Sequence, residues 1–217
     1  MNTYKDDRGN VCDIVHNGKI LEKLHDKLKI NFRGYNSYIR INNLSSIVRL
    51  VDINCVDNCI VNIDSNLVVY ESLKLILTGK NCRVNIGKNC TIGKSEILLD
   101  EPTICCSIDD DCLIGWDVRF RAGDGHTVYD LSTKKPLNIP SDISIGKHVW
   151  LSREALILKN SVIPDNCVVG CRAVVNKRFR DKNCVYAGIP ASKVKSNINW
   201  NVKPTYLYVK DELGNTE

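Results

Sequence analysis

The stretch from Ile145 to Arg180 divides into six consecutive units of six residues: "IGKHVW", "LSREAL", "ILKNSV", "IPDNCV", "VGCRAV" and "VNKRFR". Their first residues, Ile145, Leu151, Ile157, Ile163, Val169 and Val175, are all aliphatic. Their fifth residues, Val149, Ala155, Ser161, Cys167, Ala173 and Phe179, are mostly small. A period of six does not fit a helix turning every ~3.6 residues, but it fits a short strand followed by a turn. Side chains alternate across a strand, so the fifth residue of one unit and the first of the next face inward together, and the sixth faces outward. Such units stack into a parallel β-helix in which each coil buries its aliphatics against the next. The period alone leaves the handedness of that helix open.

The outward sixth positions are Trp150, Leu156, Val162, Val168, Val174 and Arg180. Scattered exposed aliphatics are ordinary, but five apolar positions in a row favour a covered outer surface, and the cover expected is another copy of the chain. Earlier sections repeat less cleanly. Ile108, Ile114 and Phe120 are six apart, as are Ile86, Ile92 and Leu98, and Ile41, Ile47 and Ile53. Gly, Asn and Asp cluster between them, as in "IGKNCTIGK", and these are turn formers. The register shifts by four between Leu98 and Ile108, which predicts a bulge or loop near "DEPTICCSIDDD". The expected organisation is an N-terminal segment over residues 1–29, β-helix coils over 30–182, and a capping segment and tail over 183–217. In "GKILEKLHDKLK", Ile20, Leu21, Leu24 and Leu28 are spaced for a short amphipathic helix, with a first β-strand as the competing reading.

Composition agrees with an aliphatic β fold. The chain has 217 residues, 43% apolar and 25% charged, with only 6% aromatic. It has no run of ~18 apolar residues, so no membrane-spanning helix is expected. The opening "MNTYKDDRGN" lacks the apolar core of a secretion signal, so a cytoplasmic protein is expected. In that compartment thiols stay reduced. The eleven cysteines include no C-x-x-C pair, and several fall on inward positions, so they are expected as packing residues, with no metal. Net charge is +5, and only "NKRFRDK" concentrates basic residues, enough for a few phosphates but not a nucleic-acid duplex.

The rhythm fails at "RAGDGHTVYD". Phe120 and Ile145 are 25 residues apart, one more than four units, so the chain cannot run through in register. A loop must project at about 121–144, and long loops on a rigid scaffold tend to be functional. It carries His126. The other histidines are less informative: His16 and His25 lie in the irregular N-terminal section, and His148 holds a turn position that reads as exposed. Asp124 either orients the His126 imidazole or simply forms the turn before Gly125. Trp150 points outward by parity, where its ring can stack on a sugar or pack on a cofactor arm. Oligomer packing is the competing role.

The segment "ISIGKHVWLSREALILKNSVIPDNCVVGCRAVVNK", followed by "YAGIPASKV", resembles the hexapeptide-repeat acyltransferases of the left-handed β-helix class. "DGHTVYDLSTKKPLN" is similar to the active loop of the members that O-acetylate sugars of capsules and lipopolysaccharides. "NCVYAGIPASKVKSNINW" is similar to capsular sialic-acid O-acetyltransferases. With His126, the match covers roughly residues 80 to 200. The resemblance implies an all-β, left-handed parallel β-helix, a homotrimer with active sites between subunits, acetyl-coenzyme A as donor and a carbohydrate acceptor. It implies His126 as general base, with Trp150 lining the catalytic site, and Asp124 and Trp150 beside the acceptor. Ser152, Gly170, Lys177 and Lys193 would lie along the coenzyme. The chain departs from the family at Leu151-Ser152-Arg153, where Ile-Gly is usual after the tryptophan. A serine there either crowds the pantetheine arm or donates a hydrogen bond to it.

Three other readings compete. An N-acetyltransferase for an amino sugar nucleotide would need a nucleotide-binding domain, and the ~30 residues before the coils are few for one. A zinc hydratase on this fold would need three clustered histidines. A non-catalytic binding solenoid would leave the loop without a purpose.

Overall fold

The computed structural model describes residues 2–214. It is a β-solenoid of about seven turns, each turn laying one short strand on each of three faces. Face 1 stacks Val11–His16, Tyr38–Asn42, Ile60–Ile63, Arg83–Ile86, Cys105–Ile108, Ile143–Ile145 and Val162–Ile163 in parallel. Face 2 includes Leu113–Ile114, Trp150–Leu151 and Val168–Val169, ending on Val185–Gly188. Face 3 runs from Leu28–Phe32 and Val51–Cys55 down to Val118–Arg121, Leu156–Leu158 and Val174–Val175. The strands Val68–Leu77 and Thr91–Leu99 turn the corner between faces 2 and 3, joining them into one sheet.

Inward aliphatics from all three faces form one continuous core. Ile145, Leu151, Ile157, Ile163, Val169 and Val175 are all buried, as are Val149, Ala155, Ser161, Cys167 and Ala173. The outward Leu156, Val162, Val168 and Val174 are half-buried, and Trp150 is 36% exposed. Nine of the eleven cysteines are buried, all eleven are free thiols, and burial pushes those of Cys12 and Cys106 up.

Most corners place a residue in the left-handed region, costly for most side chains and tolerated by Asn and Asp, whereas Val68–Leu77 and Thr91–Leu99 round theirs as continuous strands. At the corner between faces 1 and 2 these residues are Asn66, Asn89, Asp111, His148, Asn166 and Asn183. Between faces 3 and 1 they include Asn36, Asn58, Asn81 and Thr103. The Asn amides bond up the stack: Asn66 Nδ2 donates to Asn89 Oδ1, and Asn89 Nδ2 to Asp111 Oδ1, both at 2.9 Å.

Coil length explains why the repeat is clean only late in the chain. Ser144 pairs with Val162, and Trp150 with Val168, each eighteen residues on, or three units of six. Arg40 pairs with Asn62, twenty-two residues on, and Asn62 with Asn85, twenty-three on. The extra residues displace the pattern. Leu98 therefore does not point inward, whereas Ile97 and Leu99 do, and Ile47 is exposed while Val48 is buried. The expected helix near residues 18–29 is also corrected: Lys19–Ile20 pairs with Val15–His16, and Leu28–Phe32 is a face 3 strand. The coils begin at Val11 rather than at residue 30. They extend past residue 182, because Val185–Gly188 still pairs under Val168–Val169. The shift after Leu98 is a turn over Glu101–Thr103. The chain then closes with an antiparallel hairpin, Val185–Gly188 with Ala191–Lys195, and a short α-helix, Thr205–Tyr208, continued by a π-helical turn, Val209–Leu213. Among the described residues, no helix is long and apolar enough to cross a membrane.

Candidate active site

The loop between Val118–Arg121 and Ile143–Ile145 leaves the solenoid at the edge between faces 3 and 1. It is a small hairpin. Tyr129 bridges Pro136 in antiparallel fashion, and the Leu137 amide donates to the Val128 carbonyl at 2.7 Å. Its tip is built around Asp130, whose Oδ1 accepts from the hydroxyls and amides of Ser132 and Thr133. The Ser132 hydroxyl, followed by Thr133, holds that carboxyl down at about 2.

The loop base is pinned at one point. Asp124 Oδ2 accepts from Lys159 Nζ at 2.5 Å and from Asn138 Nδ2 at 2.8 Å. Lys159 Nζ also donates to the Asn138 carbonyl, and Asn138 Nδ2 to the His126 carbonyl. Lys159, then Asn138, hold the Asp124 carboxyl below the usual carboxylate range. Asp124 is thus committed to Lys159 and Asn138. Its carboxylate fixes the backbone that carries His126, and neither oxygen bonds to the imidazole. His126 is exposed, and its ring has no hydrogen-bond partner among the described residues.

Trp150 lies on face 2, its ring tilted at 46° against Trp200 with centroids 6.0 Å apart. Trp200 belongs to the tail, which climbs back along the corner between faces 1 and 2. Ile198 and Asn183 exchange two hydrogen bonds there. Trp200 then stacks flat on His148 at 4.2 Å, its Nε1 donates to the His148 carbonyl, and His148 Nε2 bonds the Trp200 carbonyl. His148, expected as an exposed turn residue, is therefore a half-buried anchor for the tail. The corner position that turned it outward also made it available to Trp200.

The residues expected along the coenzyme fall in three places. Ser152 and Gly170 share one column at the corner between faces 2 and 3, with Gly115 before them and Ala187 after. The column is tight: a Cβ on Gly170 would meet the Ala187 Cβ at 3.0 Å, and Ser152 itself is 6% exposed. Lys177 is exposed at the edge between faces 3 and 1. Lys193 lies in the closing hairpin, where its ammonium pairs with Asp181 at 2.7 Å.

A three-faced prism sets each edge opposite one face. The His126 edge, between faces 3 and 1, is opposite face 2, which carries Trp150. A single chain therefore does not bring the loop and the tryptophan together. Face 2 presents an outward stripe of half-exposed residues, Val68, Thr91, Leu113, Trp150, Val168 and Val185, mostly apolar. On face 1 the corresponding stripe is mostly polar, running through Arg40, Asn62, Asn85, Ser107 and Ser144 before it reaches Val162.

Known proteins share this architecture. The chain is 35% identical over 126 residues to a polysialic acid O-acetyltransferase of Escherichia coli O1:K1 / APEC, and 39% over 132 residues to one of Neisseria meningitidis. These matches cover 58% and 61% of this chain, but only 40% and 61% of those proteins. An uncharacterized 24.8 kDa protein from the cps region of Klebsiella pneumoniae is 33% identical over 168 residues, 73% of this chain and 72% of that one. The crystal structure of the polysialic acid O-acetyltransferase OatWY matches with a TM-score of 0.71 at 28% identity, covering 94% of this chain and 95% of that one. The chain belongs to the hexapeptide-repeat acyltransferase family. The polySia-specific acetyltransferase NeuO also matches, at 25% identity and a TM-score of 0.65, over 95% of this chain and 91% of that one. No protein-family model matches.

In this hexapeptide-repeat acyltransferase, sequence reasoning missed Lys159 and the pairing of Trp200 with His148. Lys159 is the third residue of its unit, on the coil directly below the loop, and only the stacking of coils brings it to Asp124. Trp200 was legible as a capping residue, but its partner lies 52 residues away.

Proposed function

We propose that the chain is an O-acetyltransferase that moves an acetyl group from acetyl-coenzyme A to a hydroxyl of a bacterial surface-polysaccharide sugar, sialic acid being the acceptor named for its relatives. The observation that carries this reading is the pinned loop. Asp124, Asn138 and Lys159 fix a backbone that holds His126 out in the open with its ring unengaged. A neutral imidazole nitrogen takes the proton of the acceptor hydroxyl as its oxygen attacks the thioester carbonyl carbon, a step in which a positioned base contributes roughly 10²–10⁴-fold. The tetrahedral intermediate collapses with cleavage of the C–S bond. The imidazolium then returns the proton to the departing coenzyme A sulfur. Backbone amides near Trp150 to Ser152 are candidates to hold the oxyanion. The thioester is already activated, so the step needs no metal.

The opposition of the His126 edge and the Trp150 face carries the second part of the proposal. Two copies packed edge to face bring the loop of one to the tryptophan of the other, and three copies close the ring as a homotrimer. The apolar stripe on face 2 supplies a surface for that contact. A cytoplasmic setting, with access to acetyl-coenzyme A, fits this chemistry.

The test is thiol release from acetyl-coenzyme A with a panel of polysaccharides. His126→Ala is expected to lose activity by at least two orders of magnitude with its sedimentation unchanged. Activity within a few-fold of wild type would rule out the base role.

A further inference from the structure

A strip of exposed aromatic surface lies along the edge between faces 2 and 3, outside the residues already assigned. Tyr70 is 49% exposed and Trp116 39% exposed, with their rings stacked at 6.2 Å and 21°. Trp116 lies flat because the coil beneath it offers Gly93, where a Cβ would meet the indole Cδ2 at 2.6 Å. On the next coil the Arg153 guanidinium sits over the same indole, 5.9 Å from its centroid. Arg153 is exposed and has no carboxylate partner among the described residues, whereas its neighbours Lys94 and Arg172 are both paired. The strip therefore offers two flat apolar rings and one unpaired planar cation, in line along the solenoid axis. It starts three residues from Trp150 and runs away from it toward the N-terminal coils.

We propose that Tyr70, Trp116 and Arg153 form a docking strip for the acceptor chain beyond the sugar that is acetylated. Flat aromatic rings stack on the apolar faces of sugar rings. A free guanidinium matches a carboxylate as a two-point partner. Tyr70, Trp116 and Arg153 lie on different coils, so an extended chain can engage all three at once. This inference rests on the acceptor reading above and adds the residues that hold the chain flanking the reacting sugar.

The probes are sialic acid oligomers of graded length, with dextran as a neutral counterpart. Binding is measured without donor, and steady-state transfer is measured separately. Wild type is expected to bind long oligomers more tightly than short ones and more tightly than dextran. Tyr70→Ala and Arg153→Ala are each expected to weaken long-oligomer binding by about tenfold, the scale of one stacking or charge-assisted contact. The short-oligomer affinity and kcat should be unchanged. Trp116→Phe should retain most of the affinity, which guards against a packing defect over Gly93. The proposal is overturned if both alanine variants hold long chains as wild type does, or if short and long chains weaken equally. It is also overturned if dextran competes as well as the acidic chain, or if the variants fall apart into monomers, which would make the strip a subunit contact. Absence of acetyl transfer by wild type to any acceptor would sink the proposed activity while leaving the binding measurement readable.

Discussion

Lys159 touches the loop twice, at the Asp124 carboxylate and the Asn138 carbonyl, from a coil the loop does not belong to. A half-exposed ion pair contributes at most about 1 kcal/mol to stability, so Lys159→Met should leave the melting temperature nearly unchanged. Its effect belongs to geometry. A shift of about 1 Å in a reacting group can cost roughly 100-fold, so kcat should fall by one to two orders of magnitude in the same variant. Asp130 makes a second prediction. Its carboxyl titrates at about 2 in the folded hairpin, against an ordinary value of 3.8. The hairpin therefore has that support in full above 3.8 and loses it as pH falls through about 2. Amide resonances of Ser132 and Thr133 should keep their folded shifts at pH 5 and collapse near pH 2, while coil resonances lag behind. The projecting position of His126 and the outward position of Trp150 were legible in the sequence because one breaks a period and the other obeys its parity. Lys159 and Trp200 were not, because their partners lie on other coils and no local spacing encodes the contact.

A coil of this solenoid is three strands and three corners, and the corners set the residue types. Asn166 has φ 57° at the corner between faces 1 and 2. The left-handed region costs an ordinary residue roughly 1–2 kcal/mol. Asn166→Ala should lower the melting temperature measurably, whereas Asn166→Gly should be close to neutral, as calorimetry on the pair can check. The eighteen-residue coils between Ser144 and Val175 could be read from the pattern of six because nothing is inserted in them. The wider coils before them hid their register. There Val48 and Ile97 took inward places that spacing alone assigned to Ile47 and Leu98. The amphipathic spacing of Ile20, Leu21, Leu24 and Leu28 suited a helix. Leu28 instead joined the face 3 strand beside Val51, because pairing with the next coil satisfies the backbone as well as the side chain.

For the whole molecule, the decisive relation is the opposition of edge and face. If copies meet through face 2, a charge in its outward stripe should separate them. Val168→Lys is expected to sediment as a monomer with an unchanged β-sheet circular dichroism spectrum and no transferase activity; a trimer in that variant would put the contact elsewhere. In a solenoid each coil is held mainly by its neighbours, so the last coil is the natural place for unravelling to begin. Here the tail runs back over the coil ends and fastens at His148, two coils in from the closing strand Val185–Gly188. The end of the chain works as a buckle across three layers. Fraying from that side cannot proceed one coil at a time until the Trp200 clasp has opened, so hydrogen exchange at Val168 and Val185 should rise together in the wild type, and at Val185 before Val168 in Trp200→Ala.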